Sequence, residues 1–271
     1  MQEGKKKNVI IHYLPVLGCI STGIIYAAIG IIAILSFLRL KNAGADESSL
    51  LAFLNQYVLG KILVWIIMLG TVSYIIWRIY ETITDPYEYG KNWKGLAKRT
   101  GIALSTIADA LIVYAAVRYL TGMGNIQENE QLTEQRHTVQ NILQESWGPM
   151  LIIVMGVVVA ITAFVQFFYG ITRGYRERLE VEEFSPKMKK LIHILGITGY
   201  FSRGVILGII AYFYINAGIL KDAQQIVDTD KAFDFIGDNI GHLYFILVAA
   251  GTICYGLFMF ALGKSYDIDS D

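Results

Sequence analysis

The longest apolar run in the chain contains one charge. Leu191 to Leu220 reads LIHILGITGYFSRGVILGIIAYFYINAGIL, with Arg203 as its only Asp, Glu, Lys or Arg. A guanidinium inside hydrocarbon costs roughly 2.5–3.5 kcal/mol even on lenient insertion scales, so something must offset it. A carboxylate is available in another apolar block: Asp109, three residues after Thr106 and therefore on the same helix face. An internal repeat aligns Arg203 with Thr22 and Thr106, and Ser202 lies beside it. The candidate ligand-binding residues are thus Arg203, Asp109, Thr22, Thr106 and Ser202. Asp109 and Arg203 are expected to pair inside the bundle, each offsetting the other's burial. Such a pair serves either as a structural staple or as a site for a proton, an ion, an anionic solute or a lipid headgroup.

Other chemistry finds little support. His12, His137, His193 and His242 have no second His, Cys or carboxylate at metal spacing on their helices, so no metal is expected. Cys19 and Cys254 both fall in apolar blocks and suit packing rather than a disulfide framework. There is no nucleophile elbow, phosphate loop or His-Glu metal motif. No catalytic residue and no cofactor are expected, and the chain is not read as an enzyme. A formal net charge of zero gives no global field for nucleic acid.

The elements that must carry these residues are membrane helices. Of the 271 residues, 54% are hydrophobic and 17% charged, and the mean hydropathy is +0.46. That charged share is below the roughly 25% of soluble domains, and the apolar residues cluster into long blocks. Six blocks can be drawn, over His12–Leu38, Tyr57–Glu81, Gly101–Leu120, Trp147–Thr172, Leu191–Leu220 and Gly241–Gly263. Each is near the ~20 residues that cross a bilayer. The first follows Lys5-Lys6-Lys7 and is too long for the core of a secretory signal, so it reads as a retained span. The second holds Arg78, placed to snorkel to an interface. With the N-terminus inside, 15 Lys and Arg lie on the inner side and 7 on the outer, Arg203 completing the 23. The positive-inside rule then puts both termini in the cytoplasm. Each outer loop ends in a short amphipathic pattern: Leu50, Leu51, Phe53, Leu54; Val139, Ile142, Leu143; Phe233, Phe235, Ile236. A brief interfacial helix is expected before each even-numbered span.

The blocks also repeat. His12, Gly18, Ser21 and Gly23 recur at one constant offset as His193, Gly199, Ser202 and Gly204. The same offset links Gly60 to Gly241, Gly70-Thr71 to Gly251-Thr252, and Tyr74 to Tyr255. In the middle, Ser105-Thr106 follows Ser21-Thr22 at a shorter offset, and Leu143 with Gly148 matches Ile236 with Gly241. The pattern predicts a single all-α membrane domain over 1–271. Its six transmembrane helices form three parallel two-helix repeats, at 10–89, 94–180 and 187–265, with pseudo-threefold symmetry about the membrane normal.

Three helix pairs, Gly-Tyr-Phe-Ser-Arg-Gly at 199–204 and a Leu-to-Gly spacing before the even helices resemble the domain of unknown function 1206 family. The resemblance covers nearly the whole chain. It implies a six-helix bacterial inner-membrane protein and no stated activity. The Ser-Arg-Gly motif of that family is complete here only around Arg203; the first repeat has Ser21-Thr22-Gly23 and the second Ser105-Thr106-Ile107. Two functional classes follow. One is a protein that binds or transports a small solute, an ion or a lipid, with its site around Arg203 and Asp109. The other is a non-catalytic scaffold or accessory subunit whose buried charges are structural. The expected partners are the lipid bilayer, a lipid or small-solute ligand, and a second copy or a partner membrane subunit.

Overall fold

The computed structural model describes residues 2–38, 45, 47–55, 57–85, 90, 92–93, 95–96, 99–100, 103, 106, 110, 113–114, 117, 120–121, 130–174 and 185–264. These residues are helical apart from short connections. The long helices are α1 (Gln2–Phe37), α3 (Val58–Thr84), α5 (Gly148–Thr172), α6 (Pro186–Leu220) and α8 (His242–Lys264). Each contains a stretch long and apolar enough to cross a membrane. Of the expected third block, isolated positions from Ala103 to Leu120 are described and helical. The rest of that block, Asp109 included, lies outside the described residues.

The three short helices expected from the loop patterns are present: α2 (Glu47–Asn55), α4 (Glu130–Gln144) and α7 (Thr229–Phe235), each just before a long helix. Leu50, Leu51, Val139, Leu143, Phe233 and Ile236, which directly follows α7, are buried at below 8% exposure, and Phe53, Leu54, Ile142 and Phe235 are half-buried. These helices therefore pack onto the bundle as well as ending the loops. Polar bonds tie the loops together at this end. The Ala45 N–H donates to Asp230 Oδ1 at 2.6 Å, and Arg136 donates from Nε and Nη2 to the Ile226 carbonyl at 3.0 and 2.9 Å. Nearby, the Gln224 N–H and the Gln225 amide hold the Asp222 carboxyl below its usual range.

α1 packs between α3 and α8, and α6 between α5 and α8. Small residues set these seams, as expected where helices associate without a hydrophobic drive between them. A Cβ built at Gly18 would strike the Tyr74 side chain, and one at Gly199 would lie 2.6 Å from Tyr255 Cα. Gly70 abuts Ser21, and Gly251 abuts Ser202. The α1–α3 contacts therefore recur in α6–α8, between the very positions that the sequence repeat makes equivalent. The next seam repeats too. Gly23 meets Phe260 and Gly263 meets Cys19 between α1 and α8; Gly204 meets Phe167 and Gly170 meets Tyr200 between α6 and α5. Gly23 and Cys19 are the repeat equivalents of Gly204 and Tyr200, as Phe260 and Gly263 are of Phe167 and Gly170. Repeated letters have become repeated contacts.

The Ser202–Gly251 contact gives a first quantitative expectation. A methyl group at residue 251 would collide with Ser202 Oγ and sit 2.8 Å from Ser202 Cβ, with Thr198 O at 3.2 Å. Overpacking of this kind costs about 1–3 kcal/mol. Gly251→Ala should lower the midpoint of thermal unfolding in lipid nanodiscs, and adding Ser202→Gly should restore most of it. A Gly251→Ala protein as stable as the parent would show that the seam yields freely.

Candidate functional site

Arg203 is the eighteenth of the 35 residues of α6, at its midpoint. The helix is fixed at both ends: Ser185 Oγ accepts the Met188 N–H and Pro186 opens the first turn, while Lys221 ends it in the left-handed conformation. Gly199, one turn before Arg203, admits α8 so closely that Tyr255 lies within reach of the guanidinium. Arg203 Nη1 donates to the Tyr255 hydroxyl at 2.6 Å. Its Cζ stands 4.7 Å from the ring centroid of Tyr26, on α1, and 5.0 Å from that of Tyr255. The two rings meet edge to face at 5.1 Å and 88°. Tyr200 joins Tyr255 at 5.3 Å, and Tyr169 joins Tyr200 at 5.2 Å. Four tyrosines from four helices thus cross the bundle, with the arginine at one end of the row.

A guanidinium over two ring faces gains about 0.5–2 kcal/mol from each, more where water is excluded. A hydrogen bond from a charged donor adds about 1.5–3 kcal/mol. Together these are of the size needed to offset placing Arg203 in the membrane interior. The expected Asp109 partner lies outside the described residues; the described partners of Arg203 are aromatic.

The other sequence candidates separate. Ser202 is buried at 3% exposure and faces Gly251. Its repeat equivalent, Ser21, donates to the Ile66 carbonyl at 3.4 Å. Both serines work in seams. Thr22 and Thr106 are half-buried. Among the described residues no group of His, Cys, Asp and Glu could hold a metal ion.

A second charged cluster matches no motif in the sequence. Glu81, the last residue of the expected second span, is completely buried inside α3, which continues to Thr84. Arg78, expected to snorkel, keeps only 16% of its side chain exposed and lies 3.9 Å from Glu81. Its Nη2 donates to the Tyr74 hydroxyl and its Cζ stands 4.7 Å over the Tyr74 ring. The i,i+3 spacing of Arg78 and Glu81 in an otherwise apolar stretch was the available signal. Below them Arg99 donates to the carbonyls of Thr82 at 2.8 Å and Ile83 at 3.1 Å, where the last turn of α3 leaves acceptors open.

Long apolar helices joined by glycine seams, with cations seated on tyrosines in the interior, define a polytopic helical membrane protein. The chain belongs to the family Domain of Unknown Function (DUF1206), which matches it in three segments, residues 17–85, 100–173 and 198–265. It is similar to "Uncharacterized protein YxxB" of Bacillus subtilis (strain 168), 25% identical over 250 residues, covering 91% of this chain and 88% of that one. No solved structure matches significantly.

Proposed function

We propose that this protein is a non-catalytic, cofactor-free membrane scaffold or accessory subunit whose buried arginine is structural. One observation carries the reading: the Arg203 guanidinium is engaged within the bundle by the Tyr255 hydroxyl and two tyrosine faces. A transport site needs that charge directed at a solute.

The scaffold is a closed ring of six spans in three parallel repeats. Two equivalent seams support this, and two observations extend it to the third. Ile29, Val113 and Ile210, which the repeat offsets make equivalent, belong to one hydrophobic cluster. Arg99 meets the Thr82 carbonyl at the level where Gly263 meets Val16 in one seam and Gly170 meets Ile197 in another. We assign it to a bacterial inner (plasma) membrane with both termini cytoplasmic. The excess of Lys and Arg on that side and the Bacillus subtilis relative support the assignment. Its partner on this reading is another membrane subunit.

Proteoliposomes carrying internal pH- and anion-sensitive dyes test the proposal. The purified protein should add no proton or anion flux to that of empty liposomes. Arg203→Met should lose about 2 kcal/mol of stability, read as a lower unfolding midpoint. A protein-dependent flux that disappears in Arg203→Met would replace the scaffold with a transporter.

A further inference from the structure

Tyr74 and Tyr255 are equivalent positions of the first and third repeats, and each receives a guanidinium. Arg78 reaches Tyr74 from the next turn of the same helix, donating to its hydroxyl with Cζ 4.7 Å over its ring. Arg203 reaches Tyr255 from the neighbouring helix, donating to its hydroxyl at 2.6 Å with Cζ 5.0 Å over its ring. The two arginines are not equivalent in sequence. The position matching Arg203 in the first repeat is Thr22, and the positions matching Arg78 and Glu81 in the third are Met259 and Leu262. Met259 and Leu262 are buried in the same apolar cluster as Trp77 and Phe258. The shared feature is the occupied tyrosine, and the position supplying the cation differs.

We propose that this tyrosine is a binding site for a guanidinium-type organic cation, filled in each outer repeat by a side chain of the chain itself. In the third repeat Tyr26 supplies a second wall, perpendicular to Tyr255 at 5.1 Å. A ring face and a phenol oxygen acting as acceptor form a seat selective for a flat, weakly hydrated cation with N–H donors. Shortening Arg203 empties the seat without removing its walls, so a free cation of the same chemistry takes the vacant place. The proposal rests on the contacts that support the structural reading, but fails separately from it. Flux bears on that reading, while cation-specific stabilisation bears on the seat.

The experiment is thermal unfolding of Arg203→Ala in detergent, with millimolar methylguanidinium chloride against equal sodium chloride, urea and tetramethylammonium chloride. The midpoint should rise by about 3 °C in methylguanidinium alone. The parent protein and Arg203→Ala/Tyr255→Phe should not respond. A second variant moves the cation: Arg203→Thr/Met259→Arg/Leu262→Glu copies the first-repeat residues Thr22, Arg78 and Glu81 onto the third repeat. It should melt above Arg203→Thr, and it decides the matter if Arg203→Ala does not fold. Equal responses to all four solutes, or a relocated variant no more stable than Arg203→Thr, would overturn the seat.

Discussion

Gly148→Ala is expected to be among the most damaging single-methyl additions to this protein, costing about 3 kcal/mol and roughly 10 °C in unfolding midpoint. The reason is the elbow between α4 and α5. The chain leaves α4 through Glu145, whose N–H donates to the Ile142 carbonyl at 3.1 Å, and enters α5 with the Gly148 N–H donating to Glu145 O at 3.0 Å. This turn folds the first residue of α5 onto the end of α4. A Cβ at residue 148 would fall on the Ile142 carbonyl oxygen and lie 2.5 Å from its carbon. Both are backbone atoms, so no rotamer relieves the clash.

Gly60 repeats the arrangement between α2 and α3. A Cβ there would strike the Leu54 carbonyl, and Tyr57 N donates to Leu54 O at 3.1 Å. Gly60→Ala should cost a similar amount. The third elbow uses its glycine differently. Gly241 follows a π-helical turn over Ile236–Ile240 and adopts φ 132°, with no Cβ contact closer than 4.0 Å among the described residues. Gly241→Ala should therefore cost about 1–3 kcal/mol through backbone strain. Gly208, with nothing within 4 Å of its added Cβ among the described residues, is the control. Melting curves of the four variants in one lipid check the ranking, and Gly148→Ala melting with Gly208→Ala would refute it.

The second large effect belongs to the buried pair in α3. Glu81→Leu should lose about 1–3 kcal/mol, because Arg78, 16% exposed and held by Tyr74, gives up its nearby carboxylate. Arg78→Met should lose more, about 3–5 kcal/mol, because it takes that cation from the completely buried Glu81 carboxylate. The double variant Arg78→Met/Glu81→Leu installs the pair of residue types that the third repeat carries at Met259 and Leu262, both under 6% exposed. Replacing a whole buried ion pair by packed apolar residues is often neutral. The double variant should therefore stay within about 1 kcal/mol of the parent, reflecting the Tyr74 contact it gives up. Unfolding midpoints of the four proteins close the thermodynamic cycle. Losses that simply add would mean Arg78 and Glu81 do not compensate each other.

Much of this protein was determined by the sequence alone, because its signals act over a single element or a fixed offset. Long apolar runs specify spanning helices, since hydrocarbon leaves the backbone no other way to satisfy its polar groups. Loop patterns such as Leu50-Leu51 and Val139 with Leu143 specified the short helices, and the offset between the outer repeats linked glycines that the fold then uses in equivalent seams. Tertiary structure alone decided where the charges go. Arg203 lies far in sequence from both Tyr26 and Tyr255, and no periodicity on its own helix points to either. Only the close approach at Gly199 brings α8 near enough for the hydroxyl to meet the guanidinium. The fate of Glu81 was hidden for the same reason. Near the end of an apolar run, a carboxylate reads as a boundary, and only the packed fold shows Glu81 fully buried.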